Sequence, residues 1–148
     1  MIIERTYNSG LIMDVLLDKD IISTIAEDGA TIENIQPDVF RDIWLVAIDN
    51  NKVIGVCSLP AKTSSCCEVH LRILKEHRAK HKSEVSEKIE KWIVDNTPFK
   101  TVIAEIPEVF NNITSFMKSI GFIESGVISN CWKRNGQLMD LIILSKEV

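Results

Sequence analysis

The chain has 148 residues, 45% of them hydrophobic and 26% charged, and carries a formal net charge of −4. That length suits a single domain over 1–148 and leaves too little chain for a second core. The charge excludes nonspecific nucleic-acid binding through a broad basic surface, and no apolar run approaches the length of a membrane span.

Met1-Ile2-Ile3-Glu4-Arg5 lacks the basic-then-apolar order of a signal peptide, so a cytoplasmic protein with no membrane partner is expected. Ile2 to Tyr7 reads as a short strand. Gly10 to Asp28 carries Leu11, Ile12, Val15, Leu16, Ile21, Ile22 and Ile25 at mixed helical spacings, with a break near Lys19-Asp20. Asp28 to Phe40, with its turn residues and Pro37, is a loop with room for one helical turn. Trp44 to Ile48 and Val53 to Cys57 flank the polar Asp49-Asn50-Asn51-Lys52 and predict a hairpin, which Pro60 to Ser65 connects onward. From Glu68 the period is two: Val69, Leu71 and Ile73 fall on one face, Glu68, His70 and Arg72 on the other. After Ser83 it becomes helical. Val85, Ile89, Trp92 and Ile93 share one side, and Glu84 with Lys88 and Glu87 with Lys91 form i,i+4 pairs on the other. Asn96-Thr97-Pro98 ends that helix. Thr101 to Ile106 forms a strand before Pro107, and Asn111 or Asn112 caps a helix that turns Ile113, Phe116, Met117 and Ile120 inward and stops at Gly121. Val127 to Arg134 and Leu138 to Leu144 flank Asn135-Gly136, a strong hairpin signal.

This order predicts an α/β (α+β) fold: a mixed, mostly antiparallel sheet with helices on both faces and one parallel strand pair around the long central helix. Ligands in such sheets bind beside the carboxyl ends of strands, here Leu74 to Ser83. That stretch sets His77, Arg78, Lys80, His81 and Lys82 between strand and helix, where cations oppose the helix dipole. Two readings stand. A bound anion would offset the charge and take the orphan amides of the first turn, or the segment is a solvated charged loop. The four cysteines, Cys57, Cys66, Cys67 and Cys131, show no C-x-x-C spacing and read as buried free thiols. His77 and His81 stand four apart as in H-E-x-x-H, with His70 as a conceivable third ligand. Arg78 takes the place of the required glutamate, so no metal site is expected.

The order of elements, with Glu76-His77-Arg78-Ala79-Lys80-His81-Lys82-Ser83 after a strand and Phe116-Met117-Lys118-Ser119-Ile120-Gly121-Phe122 later, resembles the GNAT superfamily of acyl-CoA-dependent N-acetyltransferases over nearly the whole chain. The resemblance implies acetyl-CoA or CoA as cofactor, held by Leu71, Ile73, Leu74, Arg78, Ala79, Lys80, His81, Lys82, Ser83 and Asn112. The family's pyrophosphate loop reads Arg/Gln-x-x-Gly-x-Gly/Ala. Arg78 falls on its first position, while His81 and Ser83 fall on the glycines that let backbone amides close on the pyrophosphate. A narrower resemblance is to the small GNAT-like head-assembly proteins of short-tailed temperate phages. It rests on Glu68-x-His70, the Glu76-x-Arg78 turn, Trp92-Ile93-Val94-Asp95-Asn96-Thr97-Pro98 and Gly121-Phe122-Ile123-Glu124-Ser125-Gly126. It implies a part in virion head assembly or morphogenesis of the DNA-ejection apparatus, with phage structural or ejection proteins as partners and weak or no catalysis. Its place would be the host cytoplasm, with virion association. The alternative is an active acetyl-CoA-dependent N-acetyltransferase modifying a protein or small-molecule amine.

For such a transfer the base candidates are Glu68, His70 and Glu105. Glu68 and His70 share a face, so they also read as a hydrogen-bonded pair in a half-buried sheet. Backbone N–H groups of Leu71 to Leu74 would polarise the thioester carbonyl where strands splay. Enzymes of the family commonly protonate the departing thiolate from a tyrosine four residues before the glycine of the Gly-Phe pair. Here that position is Met117, which has no proton to give, and the only tyrosine is Tyr7. Trp132 reads as core or as an anchor for a partner.

Overall fold

A computed structural model describes residues 1–148. The strands form two four-stranded sheets. In the first, β1 (Ile2–Arg5), β2 (Ile43–Asp49), β3 (Lys52–Leu59) and β5 (His70–Ile73) pair antiparallel in that order. In the second the order is β4 (Cys66–Glu68), β6 (Thr101–Pro107), β8 (Gln137–Glu147) and β7 (Ile123–Arg134). Only β4 and β6 run parallel, joined by the crossover through α3 (Lys75–Asn96). The mixed, largely antiparallel architecture is as expected, but the single strand from Glu68 to Leu74 is in fact two, divided at Val69.

Local chemistry fixes the element ends. Asn50 and Asn51 take φ of 48° and 62°, and Asn135 and Gly136 take 53° and 76°, the paired left-handed residues whose twist suits a two-residue hairpin. Asp18 Oδ1 accepts from the N–H groups of Asp20 and Ile21, starting α2 (Lys19–Ile25) and separating it from α1 (Ser9–Leu16). The long loop holds one 3₁₀ turn, Ile32–Ile35. Neither Asn111 nor Asn112 caps α4 (Asn111–Ser119): Phe110 holds the cap position with no side-chain bond, and Gly121 ends the segment at φ 100°. Ile113, Met117 and Ile120 pack on the core. Phe116 instead lies under the ammonium of Lys82, 4.8 Å from the ring centroid.

The main core lies between the sheets and α3. Val85, Ile89 and Ile93 meet Leu45, Ile54, Leu59 and Leu144, with Trp92 at the margin. A second cluster covers the other face of the first sheet, where Ile12, Val15, Leu16 and Ile21 pack on Trp44 and Val56. Helices therefore cover both faces.

The start of α3 departs from expectation. The helix begins at Lys75 rather than after Ser83, so the basic segment is its first two turns and not a loop. No glycine or proline interrupts Lys75 to Ser83, and lysine, glutamate, alanine and arginine all favour helix. His81 is buried and continues the stripe of Val85, Ile89 and Ile93 back at intervals of four. Of the cysteines, Cys57 and Cys67 are buried and burial pushes both thiols up to about 12, Cys66 is half-buried, and Cys131 is exposed, against expectation. No helix is long and apolar enough to cross a membrane.

Candidate functional site

The site forms where β4 and β5 part. Val69 makes the last link, its N–H donating to the Ile103 carbonyl at 2.9 Å; beyond it β5 leaves β6 and pairs with β3 alone. One edge of β5 is therefore open. The gap between β5 and β6, backed by α3 and α4, holds a cavity of about 110 Å³ whose wall includes Leu71, Ile89, Val102, Ala104, Ile106 and Met117. An apolar cavity of about 150 Å³ takes a benzene ring, while whole small-molecule sites run to about 300–1,000 Å³. This one fits a short acyl group or the thioester end of a longer ligand. A nucleotide end would lie outside.

Strand alternation puts different chemistry on the two faces of the gap. Val102, Ala104 and Ile106 point into the core under α3, so Glu105 points the other way; Leu71 and Ile73 likewise face the core, opposite His70 and Arg72. On that opposite face Glu68 meets Lys62 and His70. Lys62 Nζ is 2.9 Å from Glu68 Oε2 and 3.6 Å from Glu105 Oε1, and His70 Nε2 is 2.9 Å from Glu68 Oε1. Burial alone would raise the Glu68 carboxyl. Hydrogen bonds from His70 and Lys62, and their charges, outweigh it and hold the group at about 2. A carboxylate held so low is a weak proton acceptor at neutral pH. His70 and Glu105 are more exposed and both border the cavity, which makes them better placed to move a proton.

Two guanidinium groups line the open edge of β5. Arg72 Nη1 donates to the Leu71 carbonyl at 3.0 Å, while Nε and Nη2 of Arg78 both donate to the Ile73 carbonyl, at 3.1 and 3.0 Å. Neither is paired with a carboxylate. Burial pulls Arg72 down to about 10, which still leaves it charged at neutral pH, so the open edge of β5 carries positive charge.

Of the residues expected at a cofactor, Leu71 stands on the cavity wall, while Arg78 is off that wall, bonded to the Ile73 carbonyl at the end of β5. Ile73 is core, and Leu74 caps α3 while packing on the second cluster. Ala79, Lys80, Lys82 and Ser83 are exposed along α3, Ser83 bordering a polar groove that joins the cavity at Ser86, Glu90, Ile120 and Lys146. His81 points into the fold instead, 3.7 Å from Asp49 Oδ2 and 3.9 Å from Glu84 Oε2, with Nδ1 unbonded. Asn112 is exposed on the first turn of α4, off the wall. The sequence reading missed Lys62 and Arg72. Arg72 had a signal in its alternation with His70; Lys62, in a connecting segment, had none.

A family profile described as "Protein of unknown function (DUF2824)" matches residues 3–146. No curated protein matches the sequence. Among solved structures, the chain is similar to a spermidine N-acetyltransferase from Vibrio cholerae in complex with CoA and spermine (TM-score 0.81, 12% identity, 99% of this chain and 94% of that one). It is also similar to an acetyltransferase of the GNAT family from Streptococcus pneumoniae (TM-score 0.77, 13% identity, 99% of each chain). A third is a GNAT family acetyltransferase from Elizabethkingia anophelis with acetyl-CoA bound (TM-score 0.75, 18% identity, 99% of this chain and 97% of that one). At these identities the likeness establishes the GNAT fold.

Proposed function

The chain belongs to the DUF2824 family and has the GNAT fold, and from that premise we propose that it binds the acyl end of a CoA thioester between β5 and β6 but transfers the group slowly or not at all. Its biological work in this reading is assembly, within a phage head or DNA-ejection apparatus, in the host cytoplasm and in association with the virion. One observation carries the weak-transfer reading: Met117 lines the cavity where a departing thiolate would need a proton, and Tyr7 is exposed in the loop between β1 and α1. The winding of Arg78 to Ser83 into α3 adds to it, because helical amides bond within the helix and cannot close on a pyrophosphate.

Cofactor binding is supported by the fit of the cavity to an acyl end and by the unpaired guanidinium groups of Arg72 and Arg78. In this reading Leu71 and the open edge of β5 orient the ligand, Arg72 sets positive charge beside its carbonyl, and Glu105 or His70 holds the acceptor's proton. The thioester would supply an activated acyl carbon. The phage role rests on the sequence resemblance, with Ile123, Val127, Ile128 and Leu138 of the β7–β8 hairpin as exposed apolar surface for a partner. The second reading, an active N-acetyltransferase, is favoured by the placing of Glu105 and His70 at the gap and by the named activities of the structural neighbours.

Melting curves with CoA and acetyl-CoA test binding. A ligand at a hundred times its dissociation constant adds about 2.7 kcal/mol to native stability, so a clear upward shift is expected. No shift at millimolar ligand would refute the cofactor reading.

A further inference from the structure

The amine end of Lys62 lies beside the gap, between the carboxylates of Glu68 and Glu105. Its Nζ stands 2.9 Å from Glu68 and 3.6 Å from Glu105. Glu105 and His70, both at the gap, also border the cavity on the opposite face. An acyl group entering from the α3 side and an amine held from the other side would meet between β5 and β6. Lys62 comes from the exposed connection between β3 and β4, where Ala61 to Ser65 are all exposed, so its side chain can shift without disturbing the core. Resting on the reading that a CoA thioester enters this cavity, we propose that Lys62 is a self-acylation site of this protein.

The step balances. Lys62 begins as an ammonium and passes one proton to Glu105. Its nitrogen pair attacks the thioester carbonyl carbon, the new C–N bond forms and the C–S bond breaks, with the bonding pair leaving on sulfur. The nitrogen sheds a second proton. One of the two protons ends on the thiol and the other in solvent, leaving an uncharged amide on Lys62 and free CoA. Both carboxylates hold Lys62 as a cation, which slows the first transfer, but the amine is tethered to the protein that binds the thioester, so its attack needs no second encounter. One event per chain can proceed slowly, so the lack of a tyrosine acid costs speed without preventing it. It has a local consequence too: an acylated Lys62 no longer neutralises Glu68, which keeps only His70.

The full chain is incubated with acetyl-CoA and followed by intact mass and peptide mapping, with melting curves in CoA on the same samples. The expected result is one acetyl group per chain, on Lys62, at a rate independent of protein concentration. Lys62→Arg, which keeps the cation between Glu68 and Glu105, should lose it, and Glu105→Gln should slow it at least tenfold. If CoA raises the melting temperature but lysines label only in proportion to their exposure, the proposal is overturned while the cofactor reading stands. If CoA gives no shift, both fall.

Discussion

Glu68 shows two opposed effects on one carboxyl. Removing it from water favours the neutral acid, and the bonds from Lys62 and His70 favour the ion more strongly, so the group is held at about 2 against an ordinary 4.5. The native carboxyl thus binds its proton less tightly than the unfolded one. The resulting stabilisation is complete above the ordinary glutamate range and is lost as pH falls from about 4.5 through about 2. Glu68→Gln should cost about 2–3 kcal/mol near neutral pH, and its urea unfolding curve should converge on that of the wild type toward pH 2. A gap that stays constant across that range would mean the ion pairs are not its source. The period of two exposed the shared face of Glu68 and His70 in the sequence. It could not show Lys62, because a lysine in an irregular connection leaves no periodic trace.

At the scale of elements, the close pairing of β3 and β5 depends on Gly55. A Cβ there would lie 2.5 Å from the Arg72 carbonyl oxygen and 3.1 Å from Ile73 Cα, both backbone atoms that cannot move aside cheaply. Gly55→Ala should destabilise by about 1–3 kcal/mol as overpacking, read as a lower urea midpoint, and should loosen the edge of β5 that walls the cavity. The junction of β5 and α3 depends on Arg78, whose forked bond to the Ile73 carbonyl ties the strand end to the second turn of the helix. Arg78→Ala should cost about 1.5–3 kcal/mol and also reduce the shift in melting temperature that CoA produces. Arg78→Lys should restore little, since an ammonium cannot make the forked contact. Full stability in Arg78→Ala would show the bond to be incidental. The sequence placed the other strands and the helices but misjudged this junction, reading β4 and β5 as one strand and starting α3 after Ser83. A run of charged residues hides its helical face until His81 is recognised as the buried member, and a strand that divides at Val69 between two partners keeps the same alternation as one that does not.

For the whole molecule, the order of elements carried the fold class, because a crossover helix and two asparagine-rich hairpin turns leave few ways to assemble a sheet. The divergence of the two sheets was not legible: it depends on which neighbour each half of a strand finds, a long-range choice with no local signature. That divergence creates the cavity in which the proposed transfer would take place. In the proposed reading an acyl group and an amine meet in the gap, which His70, Glu105 and the charged Arg72 line. In that reading no tyrosine protonates the thiolate, since Met117 stands on the wall at the position the resemblance gives to one. General acid assistance is worth about a hundred- to ten-thousand-fold. Thiol release from acetyl-CoA with lysine peptides, amino-terminal peptides or polyamines should accordingly run well below the roughly one per second that marks ordinary enzymes. Met117→Tyr should raise that rate tenfold or more if a phenol can reach the sulfur, at a cost of about 1–3 kcal/mol for overpacking a half-buried position. Wild-type turnover at ordinary enzyme rates, abolished by Glu105→Gln, would instead establish an active N-acetyltransferase whose thiolate is protonated from solvent, and the assembly reading would lose its physical basis.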